Sequence, residues 1–171
     1  MKLFRKYIAI IASLFLLFTV ASCGIYSFTG ANPLPKGTTF FVEDFPNRAR
    51  LVNPNLSSKL VEDLKDKLIN QTNMDLNDNS PNLEFSGQIT GYEVRPMAIS
   101  AEEVAEKNRL TVTVKVKFVN NENHDLDFDS SFSAFADFTT DRILSEVEDE
   151  LMEEIVEQLT EDIFNKAIVN W

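Results

Sequence analysis

One cysteine and one histidine supply the only thiol and the only imidazole in this 171-residue chain. Cys23 follows Val20-Ala21-Ser22, and upstream lies a basic start, Met1 to Lys6, with no acid. The apolar run from Ile8 to Val20 suits a secretory h-region and falls well short of the roughly 20 residues that span a bilayer. A branched residue, two small residues and a cysteine make the pattern of a bacterial lipoprotein processing site. There the thiol is acylated and the chain is cut just before it. The competing reading is an ordinary signal peptide that leaves a free thiol, a liability in an oxidising compartment. Cys23 is therefore expected to be the lipidated N-terminus.

The remaining candidates for chemistry are weak. His124 sits in a polar turn with no cysteine to join it as a metal ligand. Asp127 and Asp129 could in principle act as acid and base, but on an alternating strand they fall opposite Lys117 and Lys115 as cross-strand ion pairs. The acids lack the spacing of a calcium loop, and neither a Gly-rich phosphate loop nor G-x-S-x-G occurs. The expectation is a protein that is not an enzyme, with no cofactor and no metal.

Charge points the same way. Residues 1–22 contain Lys2, Arg5 and Lys6 and no acid, so the chain from Cys23 onward has 13 basic and 27 acidic residues, a formal charge of −14. Such a chain should avoid nucleic acid, which selects basic faces. Acyl chains on Cys23 would supply the membrane anchor, each buried CH₂ contributing about 0.8 kcal/mol. Gly24, Ile25, Tyr26 and Ser27 carry no acid after the cysteine, which fits retention at the periplasmic face of the outer membrane. The layout is a signal peptide over 1–22, a lipidated N-terminus and Gly/Pro-rich tether over 23–37, and one domain over 38–171.

The elements of that domain follow from periodicity. Thr38 to Glu43 reads as a short strand. A helix starts near Asn53-Pro54, with Asn53 as N-cap, and carries Leu56, Leu60, Val61, Leu64 and Leu68 on one stripe. Gln71 to Asn82 reads as a loop. Leu83 to Arg95 is a strand whose apolar parity changes near Gly91, which predicts a β-bulge there. Pro96 to Asn108 is read as the end of a long hairpin, with a short helix capped at Ser100 as the alternative. Arg109 to Val119 alternates most clearly, with Leu110, Val112, Val114, Val116 and Phe118 on one face.

A turn at Asn120–His124 leads into a strand from Asp125 to Phe138. Val116 is expected opposite Phe128, Lys115 opposite Asp129 and Lys117 opposite Asp127. The last helix opens with a capping box, Ser145 to Glu148. Its stripe is Val147, Leu151, Ile155, Leu159 and Ile163, widened by Val156, Phe164 and Ile168. Trp171 reads as a packing plug. The order β-α-β-β-β-α gives an α+β fold with two helices on one face of a four-stranded mixed sheet.

Several short motifs add a resemblance. With the cysteine site they are Cys23-Gly-Ile-Tyr-Ser-Phe28, Phe45-Pro-Asn-Arg48, Leu64-Lys-Asp-Lys-Leu68, Gly87-Gln-Ile-Thr-Gly-Tyr92, Asn108-Arg-Leu-Thr-Val112 and Asp162-Ile-Phe-Asn-Lys166. In this order and spacing the sequence resembles the LptE family of lipopolysaccharide-assembly lipoproteins, in the form seen among Bacteroidota. The resemblance implies a two-helix, four-stranded sandwich lodged in an LptD-type outer-membrane barrel, where it supports lipopolysaccharide export. Direct contact with an anionic lipid would need a local basic patch, and the candidates are Arg95, Arg109, Lys115 and Lys117. The alternative is a periplasmic lipoprotein that binds a small ligand or a cell-envelope component without a barrel partner.

Overall fold

Alternation and helical stripes build a mixed five-stranded sheet with both helices on one face. In a computed structural model that describes residues 35–51, 53–97 and 106–169, the strands are β1 (Thr39–Val42), β2 (Asp75–Leu76), β3 (Leu83–Pro96), β4 (Lys107–Asn120) and β5 (Phe128–Thr139). The helices are α1 (Leu56–Gln71) and α2 (Leu144–Phe164), and α2 runs on into a π turn at Asn165–Val169. Strands lie in the order β2-β1-β3-β4-β5, with β1 parallel to both neighbours and the other pairs antiparallel. All of them belong to one compact unit within residues 31–171. The expected lipidation site Cys23, the tether upstream of residue 35 and Trp171 lie outside the described residues.

The stripes read from the sequence are the ones that bury. α1 contributes Leu56, Leu60, Val61, Leu64 and Leu68, and α2 contributes Val147, Leu151, Ile155, Val156, Leu159, Ile163 and Phe164. Against them stand Leu110 to Phe118 of β4 on alternate positions. An aromatic chain runs across the sheet: Phe85 to Phe118 at 5.0 Å between centroids, Phe118 to Phe128 at 5.2 Å and Phe128 to Phe132 at 6.2 Å. Aromatic area of this kind dominates a core that has no disulfide to help it. α1 and α2 are tied at the surface by Lys67 and Glu161, whose carboxyl that lysine holds below the usual glutamate range.

Glycine is required at one place by close approach. A Cβ on Gly87 would stand 2.1 Å from the Lys115 carbonyl oxygen and 2.7 Å from Phe45 Cε1, so only hydrogen fits between β3, β4 and the Phe45 ring. The bulge predicted near Gly91 is present. The β3–β4 register shifts between Ile89 and Gly91, and Tyr92 returns to the core side with 3% exposure.

Five expectations are corrected. The sheet has five strands rather than four, because the Asp75 amide donates to the Thr38 carbonyl and the Asn77 amide to the Phe40 carbonyl; this draws part of the predicted 71–82 loop beside β1. α1 starts at Leu56 rather than near Asn53, whose side chain instead accepts from the Asn55 amide in an Asx turn before the helix.

The β4–β5 register is two residues away from the expected one: Phe118 faces Phe128 and Lys117 faces Asp129. Asp127 accepts from the Asn120 amide and lengthens the connection, which holds a 3₁₀ turn at His124–Leu126, so β5 starts at Phe128 and not at Asp125. A shift of two preserves every side chain's face. Finally, no capping box forms at Ser145. The helix has already begun at Leu144 after Ile143, and Glu148 accepts instead from the Tyr92 hydroxyl. For residues 96–108, Pro96 pairs with Asn108 as a hairpin requires, and 98–105 lie outside the described residues.

Candidate functional site

With both helices on one side, the other face of the sheet is left open, and pleating sends alternate residues of β3, β4 and β5 onto it. β4 presents Lys107, Arg109, Thr111, Thr113, Lys115 and Lys117. β5 presents Asp129, Ser131, Ser133, Phe135 and Asp137, and β3 presents Glu84, Ser86 and Gln88, then Glu93 and Arg95 beyond the bulge. The four cations singled out in the sequence therefore share one face, with Arg95 directly opposite Arg109.

Each arginine brings its own acid. Arg109 donates from Nε and from a terminal nitrogen to the two carboxylate oxygens of Asp137, at 2.7 and 2.9 Å, and lies 3.6 Å from the Phe135 ring centroid. Arg95 reaches Glu93 at 2.6 Å. Lys115 pairs at 3.0 Å with Asp129, diagonally rather than straight across. Lys117 forms no ion pair within 4 Å among the described residues, and its field reaches Asp127. Across β3, β4 and β5 this face thus sets Glu84, Glu93, Asp129 and Asp137 against five cations, Lys107 included, so acids and bases nearly cancel and no basic patch forms. Between Thr113 and Ser133 runs a hydroxyl pair at 2.7 Å.

A shallow depression of about 240 Å³ on this face is bordered by Gly87, Gln88, Lys115, Lys117 and Asp129. A larger open cleft of about 580 Å³ lies at the β5 edge, between Phe128, Phe132 and the end of α2. Phe128 and Phe132 share the core-side parity of β5, but being at the sheet edge they are only partly covered.

Asp127 and Asp129, weighed as an acid–base pair, serve other ends. Asp127 accepts from the Asn120 amide at 2.7 Å and faces His124 Nδ1 at 3.0 Å. The Asn120 amide first, and His124 second, hold its carboxyl below the usual range. No group of three or more His, Cys, Asp or Glu gathers to hold a metal ion among the described residues. No described helix is long and apolar enough to cross a membrane.

No curated protein matches the sequence. Among solved structures the chain is similar to a minor lipoprotein from Acinetobacter baumannii, with a TM-score of 0.49 and 14% identity over 75% of this chain and 91% of that one. It is also similar to an uncharacterized lipoprotein B from Nitrosomonas europaea, with a TM-score of 0.48 and 14% identity over 82% and 86% of the two chains. A hypothetical protein from Chlamydia trachomatis compares at a TM-score of 0.48 and 12% identity over 80% and 99%. Residues 37–167, nearly all of the described domain, match the LptE lipopolysaccharide-assembly family model, and the chain belongs to that family.

Proposed function

We propose that this protein is an outer-membrane lipoprotein, anchored through acylated Cys23, that seats against the inside of an LptD-type β-barrel and supports delivery of lipopolysaccharide to the cell surface. The family match over residues 37–167 carries this reading. Two physical features support it. The lumen of a wide outer-membrane barrel is polar, and the open sheet face offers it hydroxyls, amides and balanced charges without an exposed apolar core. An anchor at Cys23 would confine the domain to the barrel's own membrane and raise its effective concentration there.

Direct contact with an anionic lipid headgroup is assigned to Arg95, Arg109, Lys115 and Lys117. Lys117 is the least committed of the four, while each of the others would have to exchange an acid for the ligand.

The test is recovery of the tagged full chain from outer membranes in mild detergent. The expected result is a stoichiometric complex with one large β-barrel, together with reduced surface lipopolysaccharide when the protein is depleted. Recovery from outer membranes without a barrel, with surface lipopolysaccharide intact after depletion, would overturn the proposal.

A further inference from the structure

The two edges of the sheet differ in kind. The β2 edge is two residues long. The outer side of β3 beyond β1 is met by the 46–48 loop, where the Ile89 amide donates to the Pro46 carbonyl and the Arg48 amide to the Ile89 carbonyl. β5, by contrast, is twelve residues long and ends the sheet, and no strand pairs with its outer side among the described residues. It contains no proline, its pairing with β4 runs without a register shift, and nothing shortens it. Natural edges of this length are usually blunted by such devices, because their free amides and carbonyls template another strand.

Which groups are free can be read from one contact. Gln158 Nε2 on α2 reaches the Phe135 carbonyl at 3.4 Å, so that carbonyl points away from β4. In an antiparallel ladder the main-chain groups of alternate residues point to the same side. Asp129, Ser131, Ser133 and Asp137 therefore face outward with Phe135.

Beside this edge lies the 580 Å³ cleft, with Phe128 and Phe132 as its floor and Asp125 and Asp162 on its rim. Lys166 leans across it, donating to Ser130 Oγ at 2.7 Å with its ammonium 4.9 Å from the Phe128 centroid. The carboxylates of Asp125 and Asp162 make no ion pair among the described residues.

We propose that the outer edge of β5 docks an extended segment of a partner protein as a sixth strand, and that this segment carries basic residues flanking one large apolar side chain. The free ladder supplies affinity through main-chain hydrogen bonds, and the alternate side chains supply selectivity. The apolar residue covers Phe128 and Phe132, and its basic neighbours meet Asp125 and Asp162. Charge also selects against a second copy of this chain. An antiparallel β5–β5 pairing centred on Ser133 would set Asp129 opposite Asp137, and the whole domain is acidic. The inference does not depend on the partner being a barrel.

The probe is a ten-residue peptide of alternating lysine and valine around a central phenylalanine, titrated by fluorescence anisotropy into the full-length protein in detergent. Ser131→Pro removes one outward amide and no ladder bond to β4, so it should weaken binding at least tenfold while the circular dichroism is unchanged. Asp162→Lys, on the exposed side of α2, should weaken the lysine peptide about tenfold and favour its glutamate counterpart. A peptide N-methylated at alternate amides should not bind. Equal binding by wild type and Ser131→Pro, or indifference to the charge at residue 162, would overturn the proposal. So would a concentration-dependent dimer of the full chain that Ser131→Pro abolishes, since the occupant would then be a second copy.

Discussion

Asp137 receives both forks of Arg109 from directly across the β4–β5 ladder, under a guanidinium that stacks on Phe135. The pair joins the last two strands of the sheet, β4 and β5, on the face that no helix covers. Hydrogen bonding from Arg109 holds the Asp137 carboxyl below the usual aspartate range. A depressed folded pKa means stability that is present at neutral pH and is lost as pH falls through that value. Asp137→Asn should therefore be less stable than wild type at pH 7, and the difference should close as pH drops below about 4. Urea titrations at several pH values give the comparison; parallel acid limbs would contradict it.

Tyr92 behaves in the opposite sense. Burial first, and then hydrogen bonding to Glu148, push its phenol well above the ordinary value. Its contribution is whole below the free phenol's pKa of about 10 and fades as pH rises through and beyond that point. Tyr92→Phe should cost about 1 kcal/mol at neutral pH. It should also flatten the alkaline side of the stability profile, which thermal melts between pH 8 and pH 11 would display.

Gly87→Ala tests the close approach of β3 to β4. The new methyl would meet a backbone carbonyl and a buried ring together, and overpacking of this sort costs about 1–3 kcal/mol. Gly91→Ala meets only the Thr113 side chain and amide, at 3.1 Å and beyond, so it should cost less. Denaturant midpoints of the two variants should rank in that order.

Phe118 sits in the middle of the aromatic chain, between Phe85 and Phe128, and is 1% exposed. Phe118→Ala should lower unfolding free energy by about 3–5 kcal/mol. Phe135→Ala, on the open face, should cost far less. Chemical denaturation distinguishes the two directly.

Cys23→Ala removes the proposed acyl acceptor. Uncleaved precursor, or a chain missing from the outer-membrane fraction, is the expected outcome, read by fractionation and by intact mass. Normal membrane retention of this variant would refute the anchor.

Where burial dictated residue type, the fold was open to reading. Leu110 to Phe118 and the Val147 to Ile163 stripe each carry a periodicity that one buried face imposes. The parity change at Gly91 likewise marks the bulge in the sequence itself. β2 left no such trace, because Asp75 and Leu76 are both exposed and pair only through main-chain groups. The β4–β5 register depended on two side chains, Asn120 and Asp127, whose hydrogen bonds lengthen the turn, and turn residues do not announce their partners. Glu148 had the spacing of a cap, but a tyrosine 56 residues away claimed it.

The candidate site was legible as four cations of the right parity. Parity also pointed to the Lys115–Asp129 pair, but not to Glu93 and Asp137, which take up the two arginines. Nor did it reveal that Phe128 and Phe132, which share the core-side parity of β5, line an open cleft.

The placement of β1 has a mechanical consequence. Any pull delivered along the chain upstream of Pro35 enters the domain at β1, which lies between β2 and β3 and not at a margin. To leave, it must break two ladders together, and the bonds from the Thr39 amide and hydroxyl to Asn82 as well. With the proposed anchor at Cys23, a leashed domain would be gripped at an interior strand, where tugging spreads load across the sheet instead of unzipping it from one side.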